Sequence, residues 1–235
     1  MKTRIIIAAL AIAFLHIISA NSYADVNYDE VENLFKQGRL DEAETLLTEE
    51  ARHNSKDPVP VMLLGELYRE RGDRNKAIKF LDKAVSLDPE YPMSYFYRGK
   101  VFFLMQKLDD AESNFGLYMQ KMRPILSNEE NRALYISRLH EISHMYFSLK
   151  MYEKSKEAMD EALRVSPKDQ VALYNIGIYY YTYERKRPMA YRYLSKAVEI
   201  DPSSQAATRA RYAIEFMRSN LDPRVEPDFD FLDNG

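Results

Sequence analysis

The chain has 235 residues, 46% hydrophobic and 29% charged, a balance that excludes a disordered polymer and fits one folded, soluble domain. It has no cysteine, which rules out disulfide staples, thiolate catalysis, cysteine-bound metal and a cysteine-linked lipid anchor. The formal charge of -3 leaves no basic surplus to grip nucleic acid or anionic lipid.

In chain order, the first predicted element is a targeting segment. Lys2 and Arg4 give a positive start, Ile5 to Ile18 is an almost unbroken apolar run, and Ser22-Tyr23-Ala24 is a small-x-small cleavage pattern. Removal is expected after Ala24, with Ala20 as the weaker site. The run of fourteen residues is shorter than the ~20 that cross a bilayer, so an uncleaved anchor is the less favoured reading. Loss of residues 1–24 takes the formal charge from -3 to -5, because the segment holds two bases and no acid. The expected localisation is periplasmic or secreted, with no stable membrane insertion after cleavage.

A repeat then organises the chain. Val61, Leu64, Gly65, Tyr68, Gly72, Ala77, Leu81, Ala84 and Pro89 form one block. Gly99 follows Gly65 by 34 residues, Ala111 follows Ala77 by 34, and Ala77 follows Ala43 by 34. Later sets run through Leu139, Ile142, Ser143, Tyr146, Ser155, Met159, Ala162 and Pro167, and through Leu173, Ile176, Gly177, Tyr180, Ala190, Leu194, Ala197 and Pro202. Small residues fall where two helices cross closely. Asp88-Pro89, Ser166-Pro167 and Asp201-Pro202 end second helices, since proline disfavours helical geometry in the residue before it.

On these residues the chain resembles the tetratricopeptide repeat family over about residues 25–219. The resemblance implies an all-α, right-handed superhelical solenoid of about five helix-turn-helix repeats, at 25–57, 58–91, 92–125, 136–169 and 170–203, plus a solvent-facing capping helix at 205–219. Helices are expected at about 26–36, 40–52, 58–71, 74–87, 92–105, 108–121, 128–148, 152–165, 170–184 and 188–200. Two departures interrupt the period: about ten extra residues, 126–135, precede the fourth repeat, and one extra residue lies between Tyr180 and Ala190. Ser127 and Glu130 have capping-box spacing, so the insertion should lengthen a helix.

The resemblance also implies a concave groove lined by the first helix of each repeat. The stripe comprises Tyr28 and Glu32, Met62 and Glu66, Phe96 and Lys100, His140 and His144, and Tyr174 and Ile178, with Phe35, Arg69, Phe103, Phe147 and Tyr181 one turn on. The expected partner-binding residues are Tyr28, Met62, Glu66, Arg69, Phe96, Lys100, Phe103, His140, His144, Phe147, Tyr174 and Tyr181, exposing ring area to an apolar or aromatic-bearing protein or peptide segment. The lysine and asparagine clamp with which some members hold a terminal carboxylate is absent from these places. The clusters Arg69 to Lys76 and Arg185-Lys186-Arg187 lie near turns and should be solvated.

His140-Glu141-Ile142-Ser143-His144 spells H-E-x-x-H, the helix signature of zinc peptidases. The repeat register already accounts for Ile142 and Ser143, no histidine follows His144, and a third ligand would have to be Glu157 or Glu161. The favoured reading is therefore not an enzyme, with no cofactor and no metal: an exported scaffold or adaptor, an accessory subunit of a cell-envelope assembly. The alternatives are a zinc peptidase and a self-assembling structural subunit. Residues 220–235 hold five acids against Arg224, with Pro223 and Pro227 opposing helix. They read as an acidic disordered tail, although Phe229, Phe231 and Leu232 suit a tail that docks in a groove.

Overall fold

A computed structural model describes residues 28–219; the expected export signal and acidic tail lie outside the described residues. Among those residues there are eleven α-helices and no strand. They are α1 (Tyr28–Gln37), α2 (Leu40–His53), α3 (Pro58–Glu70), α4 (Arg74–Leu87), α5 (Pro92–Leu104), α6 (Leu108–Met122), α7 (Glu129–Ser148), α8 (Tyr152–Val165), α9 (Gln170–Thr182), α10 (Arg187–Ile200) and α11 (Gln205–Ser219), with a single 3-10 turn at Arg123–Ile125. The chain divides into two compact units after Asn131, inside the insertion. None of these helices is long and apolar enough to cross a membrane.

In the first unit, each helix from α1 to α6 packs on the next, and α3 also meets α5. In the second, α8 packs on α9, α9 on α10, α10 on α11, and α9 also meets α11. Contacts between alternate helices are what stacking of amphipathic hairpins requires, because one hairpin cannot bury its apolar face alone.

Short-range chemistry sets the helix ends. The Asp57 side chain accepts from Val59 N at 2.9 Å with Pro58 in the first turn, and Asp169 accepts from Ala172 N at 2.8 Å. Asp88, Ser166 and Asp201 are extended at the ends of α4, α8 and α10, as the prolines that follow them dictate. The turn inside each hairpin places one residue in the left-handed region: Gly38, Gly72, Gln106, Lys150 and Arg185. The spacing is 34 twice, then lengthens by the ten-residue and one-residue insertions, so the backbone keeps the register seen in the letters.

The crossings show why the small residues are small. A methyl group built on Gly65 would lie 2.6 Å from Leu81 Cγ, on Gly99 2.6 Å from Phe115 Cε1, and on Gly177 2.7 Å from Leu194 Cγ. Where serine stands at the glycine position, residue 143, its Oγ donates to Ser155 O at 2.8 Å. One expectation needs correction. The cap of α7 is Asn128, whose Oδ1 accepts from the backbone of Glu130 at 2.8 Å and Asn131 at 3.2 Å. Ser127 stands one place too early, because part of the insertion is spent on the 3-10 turn.

Candidate functional site

In the first unit the first-helix stripe carries charge at one repeat position. Glu32 on α1, Glu66 on α3 and Lys100 on α5 are spaced by 34 residues, and each is at most 9% exposed. Arg69, one turn beyond Glu66, clamps it in bidentate fashion: Nε donates to Oε2 at 2.7 Å and Nη2 to Oε1 at 2.8 Å. Lys100 Nζ lies 3.8 Å from the same Oε1 and 5.3 and 5.4 Å from the ring centres of Phe96 and Tyr97. Burial opposes the charge on Arg69, but Glu66 and then Glu70 outweigh it and hold the guanidinium above its ordinary value. The result is a fixed row of charge bordered by aromatic faces.

In the second unit the same stripe is built from histidines and tyrosines. His140 Nε2 lies 3.1 Å from Asp169 Oδ2, so one carboxylate both caps α9 and holds the imidazole. Burial pushes the Asp169 carboxyl up, but His140 and the backbone N–H groups of Ala172 and Val171 outweigh it and leave it below the ordinary range. Arg138, only 1% exposed, forms an ion pair with Glu141. A cleft of about 350 Å³ opens between the starts of α9 and α11, lined by His140, Asp169, Gln170, Ser204 and Gln205.

Two family models match the chain: a TPR repeat over residues 65–106 and a tetratricopeptide repeat over residues 136–169, one in each unit. Both units carry tetratricopeptide repeats. A crystal structure of MamA matches with a TM-score of 0.56 and 21% identity, over 77% of this TPR chain and 97% of that one. MamA 41-end from Desulfovibrio magneticus RS-1 matches with a TM-score of 0.50 and 21% identity, over 75% and 94%. A chain of the APC/C hetero-tetramer Cut9-Hcn1 gives 0.54 and 22%, over 77% of this chain but 34% of that one. At such identities these structures are alike in fold alone. No curated protein matches. TPR folds are typically non-catalytic scaffolds that bind protein or peptide segments.

Several expectations about the TPR stripe change. The rings do not form an exposed wall: Met62, Phe96, Tyr174 and Tyr181 are buried, and so is Tyr28, whose hydroxyl donates to Asp57 Oδ2 at 3.4 Å. Phe96 packs on Phe115 and Tyr118 of α6, at centroid distances of 6.2 and 5.3 Å. Tyr174, Ile178 and Tyr181 join one core with Leu194 of α10 and Ala206, Ala210, Ala213 and Met217 of α11. Phe103 is buried, while His144 and Phe147 are half-buried, Phe147 lying 5.3 Å from the ring of Tyr152. Arg69 is not solvated either, since Glu66 holds it inside.

The peptidase constellation does not come together. Glu141 is engaged by Arg138, His140 by Asp169, Glu157 by Lys154 at 3.5 Å, and Glu161 accepts from Tyr135 Oη at 2.8 Å. Among the described residues no three His, Asp or Glu side chains gather as a metal site. Sequence reasoning passed over Arg138 and Asp169. Asp169 carried a signal, the capping aspartate three residues before Ala172, whereas Arg138 sits two residues before His140 and off the stripe positions.

Proposed function

We propose that this is an exported scaffold that holds an extended protein or peptide segment against the first-helix stripe, as an accessory subunit of a cell-envelope assembly. The observation that carries this reading is the charged row Glu32, Glu66 and Lys100, repeated at one position through three hairpins and kept nearly out of water. Burying a charge costs several kcal/mol before its partners offset it. An apolar side chain would pack a hairpin without that cost, so the row is better explained by recognition than by stability. The ion pairs would meet the polar backbone of the segment, while Phe96 and Tyr97, buried beside Lys100, hold that charge in place. Export is supported by the basic, apolar and small-residue order of residues 2–24.

The test is to pan displayed peptides on the full chain and then measure their affinity for wild type and for Lys100→Met, which keeps the length and loses the charge. Enriched peptides sharing an apolar or aromatic residue, and bound about tenfold more weakly by the variant while melting stays cooperative, are the expected result. Equal affinities would remove the row from the site. For export, a tagged chain should appear outside the cytosol beginning at Asp25; a cytosolic chain with an intact start would refute it.

A further inference from the structure

The chain has 18 tyrosines and neither cysteine nor tryptophan. With no thiol or indole to compete, its phenols are the side chains that most readily give up a single electron. Five of them form one line of touching rings in the second unit. Tyr152, at the start of α8, lies 5.2 Å from Tyr183, Tyr183 lies 5.4 Å from Tyr179, Tyr179 5.4 Å from Tyr180, and Tyr180 5.5 Å from Tyr193 of α10, centre to centre. All four separations are those of aromatic contact.

Packing alone does not ask for phenols here, because the line runs out into water. Tyr183 follows α9, in the turn that carries the extra residue, and is 48% exposed; Tyr152, Tyr180 and Tyr193 are half-buried. An oxidant can take an electron from Tyr183 directly, or from a ring behind it that Tyr183 then refills across a contact. Oxidising a phenol also releases its proton. Tyr179 Oη already donates to Glu184 Oε1 at 3.1 Å, so a carboxylate stands ready there, while Tyr183 and Tyr152 can release theirs to water.

We propose that Tyr152 and Tyr183 are a site of oxidative cross-linking, joined as a dityrosine by a peroxidase-type one-electron oxidant that draws on hydrogen peroxide. Each phenol gives one electron to the oxidant and loses its hydroxyl proton, leaving a phenoxyl radical whose unpaired electron is shared with the ring carbons beside the C–O bond. The two radicals pair in one carbon–carbon bond between such positions. The hydrogen on each joined carbon then moves to its oxygen, restoring both phenols. One hydrogen peroxide, reduced to two waters, takes up the two electrons and two protons. The rings are tilted by 45°, and an exposed side chain such as Tyr183 changes rotamer within nanoseconds, so the reacting carbons can meet. The bond would fasten the start of α8 to the end of α9, a covalent staple of the kind that the lack of cysteine denies this chain.

The test treats the full chain, at high dilution, with a peroxidase and hydrogen peroxide. The expected product is monomeric, lighter by two hydrogen atoms and fluorescent as a biphenol, and on digestion it yields one peptide pair joined through Tyr152 and Tyr183. Methionine sulfoxide adds oxygen instead and is told apart by mass. Tyr152→Phe and Tyr183→Phe, both melting cooperatively, should each lose the joined pair, whereas Tyr212→Phe should keep it. Tyr212 is 61% exposed, more than Tyr183, so unselective surface oxidation would act there first. Dimers joined through Tyr212 as the main product would overturn the proposal. So would a different joined pair, such as the stacked Tyr180 and Tyr193, a product that survives in Tyr183→Phe, or a chain whose phenols all remain unjoined.

Discussion

The two units are built from the same hairpin, yet they differ at one close crossing and at one capping aspartate. In the first unit the close crossings place glycine against a branched or aromatic residue, Gly65 on Leu81 and Gly99 on Phe115. In the second, the first crossing ties Ser143 to Ser155 by a hydrogen bond, and the next returns to glycine, Gly177 on Leu194. The capping aspartates differ as well. Burial, together with Glu50, pushes Asp57 above the ordinary aspartate value despite bonds from Val59 N and the neutral hydroxyl of Tyr28. Asp169 has the imidazole of His140 beside it and goes the other way. A repeat therefore fixes geometry, while the residue met across each contact fixes chemistry.

The largest effect should come from breaking the tight crossings. Gly99→Ala puts a methyl group 2.6 Å from Phe115 and should cost about 2–3 kcal/mol by overpacking. Ser143→Ala should cost only about 1 kcal/mol, the net worth of its hydrogen bond. Chemical unfolding of both variants checks the ordering, and equal losses would mean that the crossings are equivalent.

The two aspartates sharpen the comparison at acid pH. The stabilising contribution of Asp169 is complete above its unfolded value near 3.8 and is lost as pH falls through its lower folded value. The sign for Asp57 is reversed: its contribution is present below 3.8 and is lost as pH rises through its higher folded value. Asp169→Asn should therefore flatten the acid loss of stability between about pH 4 and 2, and Asp57→Asn should remove the gain in stability that comes as pH falls toward 3.8 from above. At neutral pH, Asp169→Ala should cost about 2 kcal/mol, a cap plus the partner of a buried imidazole, against about 1 kcal/mol for Asp57→Ala. Stability followed against pH reads all four variants.

Period, small residues and closing prolines make nearly every helix legible in the letters alone, because each reports a backbone constraint that any neighbour would impose. The stripe positions are legible in the same way, but their exposure is not. Tyr174 and Tyr181 are dry because α11 offers Ala206, Ala210 and Ala213, a small-residue face that lets the capping helix approach closely. Alanine recurring every third or fourth residue is the signal for that face, and the arginines beside it point instead to a solvent-facing cap. The Asn128 cap is hidden for a similar reason. Serine and asparagine are equally good caps, and only the 3-10 turn decides between neighbours.

The smallest effect lies in the hairpin turns. All five place a residue in the left-handed region, but only Gly38 and Gly72, both in the first unit, are glycine; Gln106 and the second unit's Lys150 and Arg185 carry a side chain there, at φ of 59°, 59° and 56°. An L-residue in that region costs roughly 1–2 kcal/mol, and glycine removes that cost while adding unfolded-chain entropy worth about 0.4–1 kcal/mol. Lys150→Gly and Arg185→Gly should therefore each stabilise the second unit by about 0.5–1 kcal/mol, with Gln106→Gly doing the same in the first, whereas Gly72→Ala should destabilise by about 1 kcal/mol. A rise in melting temperature for the three glycine variants and a fall for Gly72→Ala would show that one backbone requirement runs through every hairpin. A fall for Lys150→Gly would mean that its side chain does something in the turn that outweighs the strain it carries.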